Sequence, residues 1–116
     1  MTKDYSLYVQ HALDAIDLIN QVVTELDFED LKGDPVLTSS VMYQLIVVGE
    51  VVSKLPEHLL DNYPEIPWRQ IKAARNRIVH DYYSVDIEIL WAIIQQDLPK
   101  LEETLELMNS ELRAAA

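Results

Sequence analysis

The sequence contains no cysteine. That excludes a disulfide framework, a thiolate nucleophile and every cysteine-ligated zinc or iron–sulfur centre. Only two glycines occur in 116 residues, too few for a series of tight hairpins, and no window alternates apolar and polar residues between turn signals as a strand would. Cations are scarce as well: nine Lys and Arg against twenty Asp and Glu give a formal net charge of -11. A field of that sign repels phosphate, so general nucleic-acid coating is disfavoured and any polyanion has to be recognised locally. No uninterrupted apolar run has the length of a bilayer span, and the amino-terminal M-T-K-D-Y-S-L-Y has no basic segment followed by an apolar one. A cytoplasmic protein without membrane association is the expectation.

What is present is helical patterning. With 49% hydrophobic residues in 116, the chain can bury one core, so residues 1–116 are expected to form a single domain. Tyr8, Ala12, Ala15, Ile19, Val22 and Leu26 are spaced four, three, four, three and four apart, tracing one helical stripe that should end near Asp27, where F-E-D-L-K-G-D-P loses the period. Asp34 and Pro35 suit an N-cap and first helical position. The stripe that follows is Leu37, Val41, Leu45, Val48, Val52 and Leu55, with Gly49 permitting a close approach, Glu50 beside the stripe and Pro56 as its stop. P-E-H-L-L-D-N-Y-P has room for one or two turns. Pro67 starts a further helix, and the last runs from Ile87 through Leu90, Trp91, Ile94, Leu98, Leu101, Leu105, Met108 and Leu112, with a kink expected at Pro99 and fraying at the final alanines. The expected architecture is all-α: an up-and-down bundle of four long helices and one short one.

Against the acidic whole, no Asp or Glu occurs from Ile66 through His80, whereas Arg69, Lys72, Arg75 and Arg77, four of the nine Lys and Arg residues, lie there. An anion would dock on this segment. At 100° per residue, Trp68, Ile71, Ile78, Val79 and Tyr82 share one apolar sector, and Arg75 falls inside it. A guanidinium aimed at a core or interface needs an acceptor, and Glu50, flanking an apolar stripe, is the expected partner. His80 follows Arg75 by five residues and so lies about 140° away on a regular helix, while Asn76 and His80 share a side. The two groups converge only if the helix unwinds near His80 or a second copy of the chain completes the site. Histidine moves protons near neutral pH, arginine pairs with phosphate, and asparagine orients either group, a set suited to phosphodiester cleavage without a metal.

The motif R-N-R-I-V-H-D-Y resembles the Arg-x4-His motif, extended to His-x-Tyr, of HEPN-domain ribonucleases, and specifically the HepT-like toxins of toxin–antitoxin pairs. V-G-E at Val48 to Glu50, I-P-W at Ile66 to Trp68, V-D at Val85 and Asp86, Trp91, and D-L-P at Asp97 to Pro99 are similar to the ordered landmarks of that family, which together cover most of the chain from Asp34 to Leu101. The resemblance implies a HEPN-like helical homodimer that cleaves RNA, with tRNA among the candidate substrates, without metal or other cofactor. Arg75 and His80 would carry the chemistry and Asn76 would support them. It also implies a minimal nucleotidyltransferase antitoxin that adenylylates the tyrosine at position Tyr82. Many members of that family have a basic residue a few positions before the Gly-Glu pair, where this chain has Tyr43.

Each assignment has a plainer competitor. Arg75 and His80 can be a structural arginine and a surface histidine, Tyr82 can be core filler, and Asp81 can assist His80 or simply occupy a turn. Arg69, Lys72 and Arg77 are candidates for substrate contact. His11 and His58 lack the acidic neighbours of a helix-borne metal site, so no metal is expected. Glu102, Glu103, Glu106 and Glu111 suit a solvated face, and Trp68 and Trp91 suit core anchors. A non-catalytic module that binds nucleotides or docks a nucleotidyltransferase would use the same basic helix and show binding without turnover.

Overall fold

The computed structural model describes residues 4–115; Met1–Lys3, at the amino terminus screened above for a leader, and the last alanine lie outside them. Helix α1, Tyr5–Val23, is capped by Asp4, whose carboxylate accepts from the Ser6 backbone N–H at 3.1 Å. It stops four residues short of Asp27 because that residue is taken up in capping another helix. Asp27 accepts from the Asp30 N–H at 2.8 Å, and the Asp30 carboxylate accepts in return from the Asp27 N–H at 3.1 Å. This reciprocal cap starts α2, Phe28–Lys32, where the sequence suggested only a loop. Five residues are too few to display a helical period, so the Asp27 and Asp30 pair was its local signal. Helix α2 is a short helix additional to the one the sequence suggested.

Helix α3, Pro35–Lys54, begins as its sequence requires, with Asp34 accepting from the N–H groups of Val36 and Leu37 at 3.0 and 3.1 Å. It has the length and hydropathy of a membrane span. Its apolarity has a packing explanation, since α1, α2 and the Trp68–His80 helix (α5) all lie against it. Leu55 turns extended before Pro56, and the short α4, Glu57–Leu60, follows. The loop after α4 is anchored by Trp68, whose indole N–H lies 3.1 Å from the Leu60 carbonyl and 3.0 Å from that of Tyr63. Helix α5 spans Trp68–His80, a 3₁₀ turn covers Tyr82–Ser84, and α6 and α7 cover Ile87–Ala92 and Leu98–Ala114.

Between α6 and α7, Ile93–Asp97 form a π turn, with the Leu98 N–H bonded to the Ile93 carbonyl five residues back. Pro99, second in α7, has no N–H and would collide with a carbonyl four residues earlier, and the wider turn just ahead of it relieves that conflict. The disruption expected at Pro99 is thus taken up upstream as an inserted residue. The long helices stack in the order α7, α1, α3, α5, with α1 in contact with α3 and α7 and α5 resting on α3. No strand occurs among the described residues, and the fold is all-α. One core joins Val9, Ile16 and Ile19 of α1, Val41 and Val52 of α3, and Leu105 and Met108 of α7.

One polar detail departs from expectation. Glu102 is half-buried, not solvated, with both carboxylate oxygens 3.5 Å from the Asn20 side-chain amide. Tyr63 is buried, and burial pushes its phenol above the usual value of 10.0, as does its hydrogen bond to the Glu111 carboxylate. A folded value above the unfolded one means this contribution is complete below pH 10.0 and disappears as pH rises through the folded value. Chemical denaturation between neutral pH and pH 11 should show a shallower alkaline loss of stability in Tyr63→Phe than in the parent; equal slopes would remove Tyr63 as the cause.

Candidate active site

The site is built where α3 crosses α5. A Cβ at Gly49 would overlap the Cβ of Arg75 and lie 2.7 Å from its Cγ, so the absence of a side chain is what lets the arginine stem lie directly on α3. One residue on, Glu50 accepts from Arg75 Nη2 at 2.6 Å, the pairing expected from the sequence. Arg75 Nη1 donates to Asn76 Oδ1 at 2.9 Å. The guanidinium is therefore gripped through two nitrogens, while its Nε is buried and has no acceptor. An unsatisfied buried donor on an already charged group is costly, and such groups cluster where a ligand or a rearrangement completes them.

Helix α5 is unbroken from Trp68 to His80, and the Asp81 N–H continues its pattern by donating to the Arg77 carbonyl at 2.8 Å. Unwinding near His80 is therefore not the route by which Arg75 and His80 meet. Arg75 turns toward α3, and His80 is exposed at the helix end. Arg69, Asn76 and His80, at i, i+7 and i+11, follow one exposed edge; Arg77 is exposed beside it and Lys72 is half-buried. Asp81 closes the helix through its N–H and starts the 3₁₀ turn through its carbonyl, which accepts from the Ser84 N–H at 2.9 Å.

The apolar sector drawn through Trp68, Ile71, Ile78, Val79 and Tyr82 is only partly buried. Ile78 is the one residue of α5 in the core, because this helix packs along a single flank. Tyr82 is not core filler. The helix ends before it, the 3₁₀ turn carries it outward to 41% exposure, and its hydroxyl donates to Ser39 Oγ on α3 at 2.7 Å. Nothing local in the sequence marks Ser39, which is 43 positions away. Between α3, α5 and the π turn lies a cleft of about 270 Å³, lined by Leu45, Val48, Ile71, Ala74, Ile78 and Ile93 and bordered by Arg75. Among the described residues, no group of three or more His, Asp or Glu side chains stands close enough to hold one ion. His11 and His58 are exposed; Trp68 is the loop anchor, and Trp91 packs edge-on against Phe28 with ring centres 6.4 Å apart.

Residues 12–108 match the family described as Ribonuclease HepT-like. A protein of Caldanaerobacter subterraneus subsp. tengcongensis named "Putative RNase TTE0752" is 31% identical over 105 residues, covering 90% of this chain and 94% of its own. The "Probable ribonuclease HepT" of Thermococcus cleftensis is 31% identical over 106 residues, covering 91% of this chain and 96% of its own. No solved structure matches this chain. With the Arg75–Glu50 clasp and the exposed His80 on one basic helix, and with likeness running nearly end to end, this chain belongs to the HepT-like ribonuclease family.

Proposed function

We propose that this chain is the toxin of a toxin–antitoxin pair and acts as a cytoplasmic RNA endonuclease that needs no metal. The observation that carries this reading is the clasped Arg75 guanidinium on the same cationic helix as the exposed His80, in a chain otherwise poor in cation. Arg75, released from or shared with Glu50, pairs with the scissile phosphate and stabilises charge building on its oxygens. Since Arg75 and His80 leave an intact helix about 140° apart, two copies related by a two-fold axis form the working unit, each supplying a histidine to a common cleft. One His80 takes the proton of the ribose 2′-hydroxyl, and that oxygen forms a bond to phosphorus. The P–O5′ bond breaks, and the other His80 protonates the departing oxygen. The products are a cyclic phosphate and a 5′-hydroxyl. Asn76 holds the guanidinium in place, and Arg69, Lys72 and Arg77 contact flanking phosphates. Asp81 sets the end of the helix behind His80.

The test is incubation of the purified protein with labelled tRNA, and with an all-deoxy oligonucleotide, in EDTA. RNA is cut and DNA is not. Cleavage of DNA, or RNA binding without turnover, would overturn the mechanism, and the second result would favour the docking module.

The partner proposed is a minimal nucleotidyltransferase that adenylylates Tyr82. The exposure of Tyr82 supports this. Its hydroxyl donates to Ser39 on α3, so attack of that oxygen on the α-phosphorus of ATP, with loss of its proton and release of pyrophosphate, removes the donor of this bond. Intact mass after incubation with the nucleotidyltransferase and ATP should rise by one adenylyl group in the parent and stay unchanged in Tyr82→Phe. Equal labelling of both proteins would exclude this tyrosine.

A further inference from the structure

From the geometry beyond His80 we infer that Tyr83 is a stacking platform for a base of the RNA strand, next to the phosphate that is cut; the inference rests on the RNA reading above. Tyr83 is 100% exposed, and no other exposed aromatic residue is so completely uncovered: Tyr43 stands at 62% and Tyr82 at 41%. Among the described residues, its one ring contact is with the neighbouring tyrosine. Its ring meets Tyr82 edge to face, with centres 6.2 Å apart and planes at 90°, a favoured aromatic arrangement that leaves a broad face open. Tyr82 is in turn fastened to α3 through Ser39 at 2.7 Å, and the turn beneath is closed by the Ser84 N–H on the Asp81 carbonyl at 2.9 Å. A tyrosine has only two side-chain torsions to fix, so an uncovered ring of this kind gives up little conformational freedom on binding.

The location selects the occupant. Tyr83 follows His80 by three residues, at most about 10 Å along the chain, and Arg77 and His80 lie exposed at the same helix end. A strand whose phosphate reaches His80 brings an adjoining base to this ring. The tryptophans cannot serve instead, since Trp68 is bonded to two carbonyls and Trp91 is packed on Phe28. Stacking also suits the charge of the whole. In a chain of net charge -11, phosphate contacts are opposed by the surrounding field, whereas a base–aromatic contact is neutral, tolerant of sequence and insensitive to salt.

The experiment uses a His80→Ala background, so that RNA is bound without being consumed, and measures the affinity of a fluorescein-labelled 12-nucleotide single-stranded RNA at two salt concentrations. Tyr83→Ala should weaken binding by about 5- to 100-fold, by the same factor at both salts, while Tyr83→Phe stays within twofold of the background. An Arg77→Ala control should lose less at high salt than at low salt. Equal affinity of Tyr83→Ala and its background, with RNA bound by both, overturns the platform and leaves the nuclease reading standing. Absence of RNA binding in every variant overturns both. Sedimentation of Tyr83→Ala should match that of the parent; a change of assembly state would make the ring an interface residue and overturn the platform as well.

Discussion

His80→Ala should lower RNA cleavage by about 10²- to 10⁴-fold, the usual worth of a positioned proton-transfer group, and leave thermal stability unchanged. The second half of that expectation is what makes the first informative. His80 is exposed at the end of α5 and outside the core, and surface substitutions away from caps and buried networks fall within about 0.5 kcal/mol. Arg75→Ala should also lose about 10²- to 10³-fold in rate, but with a fall in melting temperature, because its removal leaves the half-buried Glu50 carboxylate unpaired. Two catalytic losses with different stability signatures separate chemistry from folding. Cleavage of labelled tRNA in EDTA, read beside thermal melts, gives both, and undiminished cleavage by His80→Ala would end the proposed mechanism.

Gly49→Ala should unfold the protein about 5–15 °C earlier, a loss of roughly 1–3 kcal/mol from overpacking. The sign is the decisive part. In the interior of a helix alanine is ordinarily favoured over glycine by about 1 kcal/mol, so a relaxed site would make this substitution stabilising. Here the new Cβ meets the near end of the Arg75 side chain, its Cβ and Cγ, which cannot swing away without moving α5. Separation of the two helices would also stretch the 2.6 Å Glu50–Arg75 contact, so catalysis should fall with stability. A raised melting temperature in Gly49→Ala would show that α3 and α5 do not approach as described.

Sequence periodicity reached the long helices because each repeats its stripe over several turns, and the placement of Glu50 against Arg75 because both interrupt apolar faces that must meet. It did not reach α2, which lasts too short a time to repeat, nor the π turn, which leaves no gap in a stripe counted by threes and fours. Tyr82 was misplaced by extending a helical wheel past the point where the helix stops. Its contact with Ser39, and the platform behind it, depend on how the turn after α5 folds back on α3, a tertiary relation with no local trace.

The π turn at Ile93–Asp97 has a consequence for how this chain can change over time. Ile87, Leu90 and Ile94 are in phase with Leu98, Leu101 and Leu105 when counted as one α-helix, yet α6 leans on α2 while α7 lies along α1. The additional residue rotates everything after it by about 100°, allowing a single seam to serve two different neighbours. Point substitutions in this segment leave that rotation in place. Loss of one residue cancels it and turns the whole carboxyl-terminal seam away from α1, so the length of these five positions is constrained more tightly than their identity.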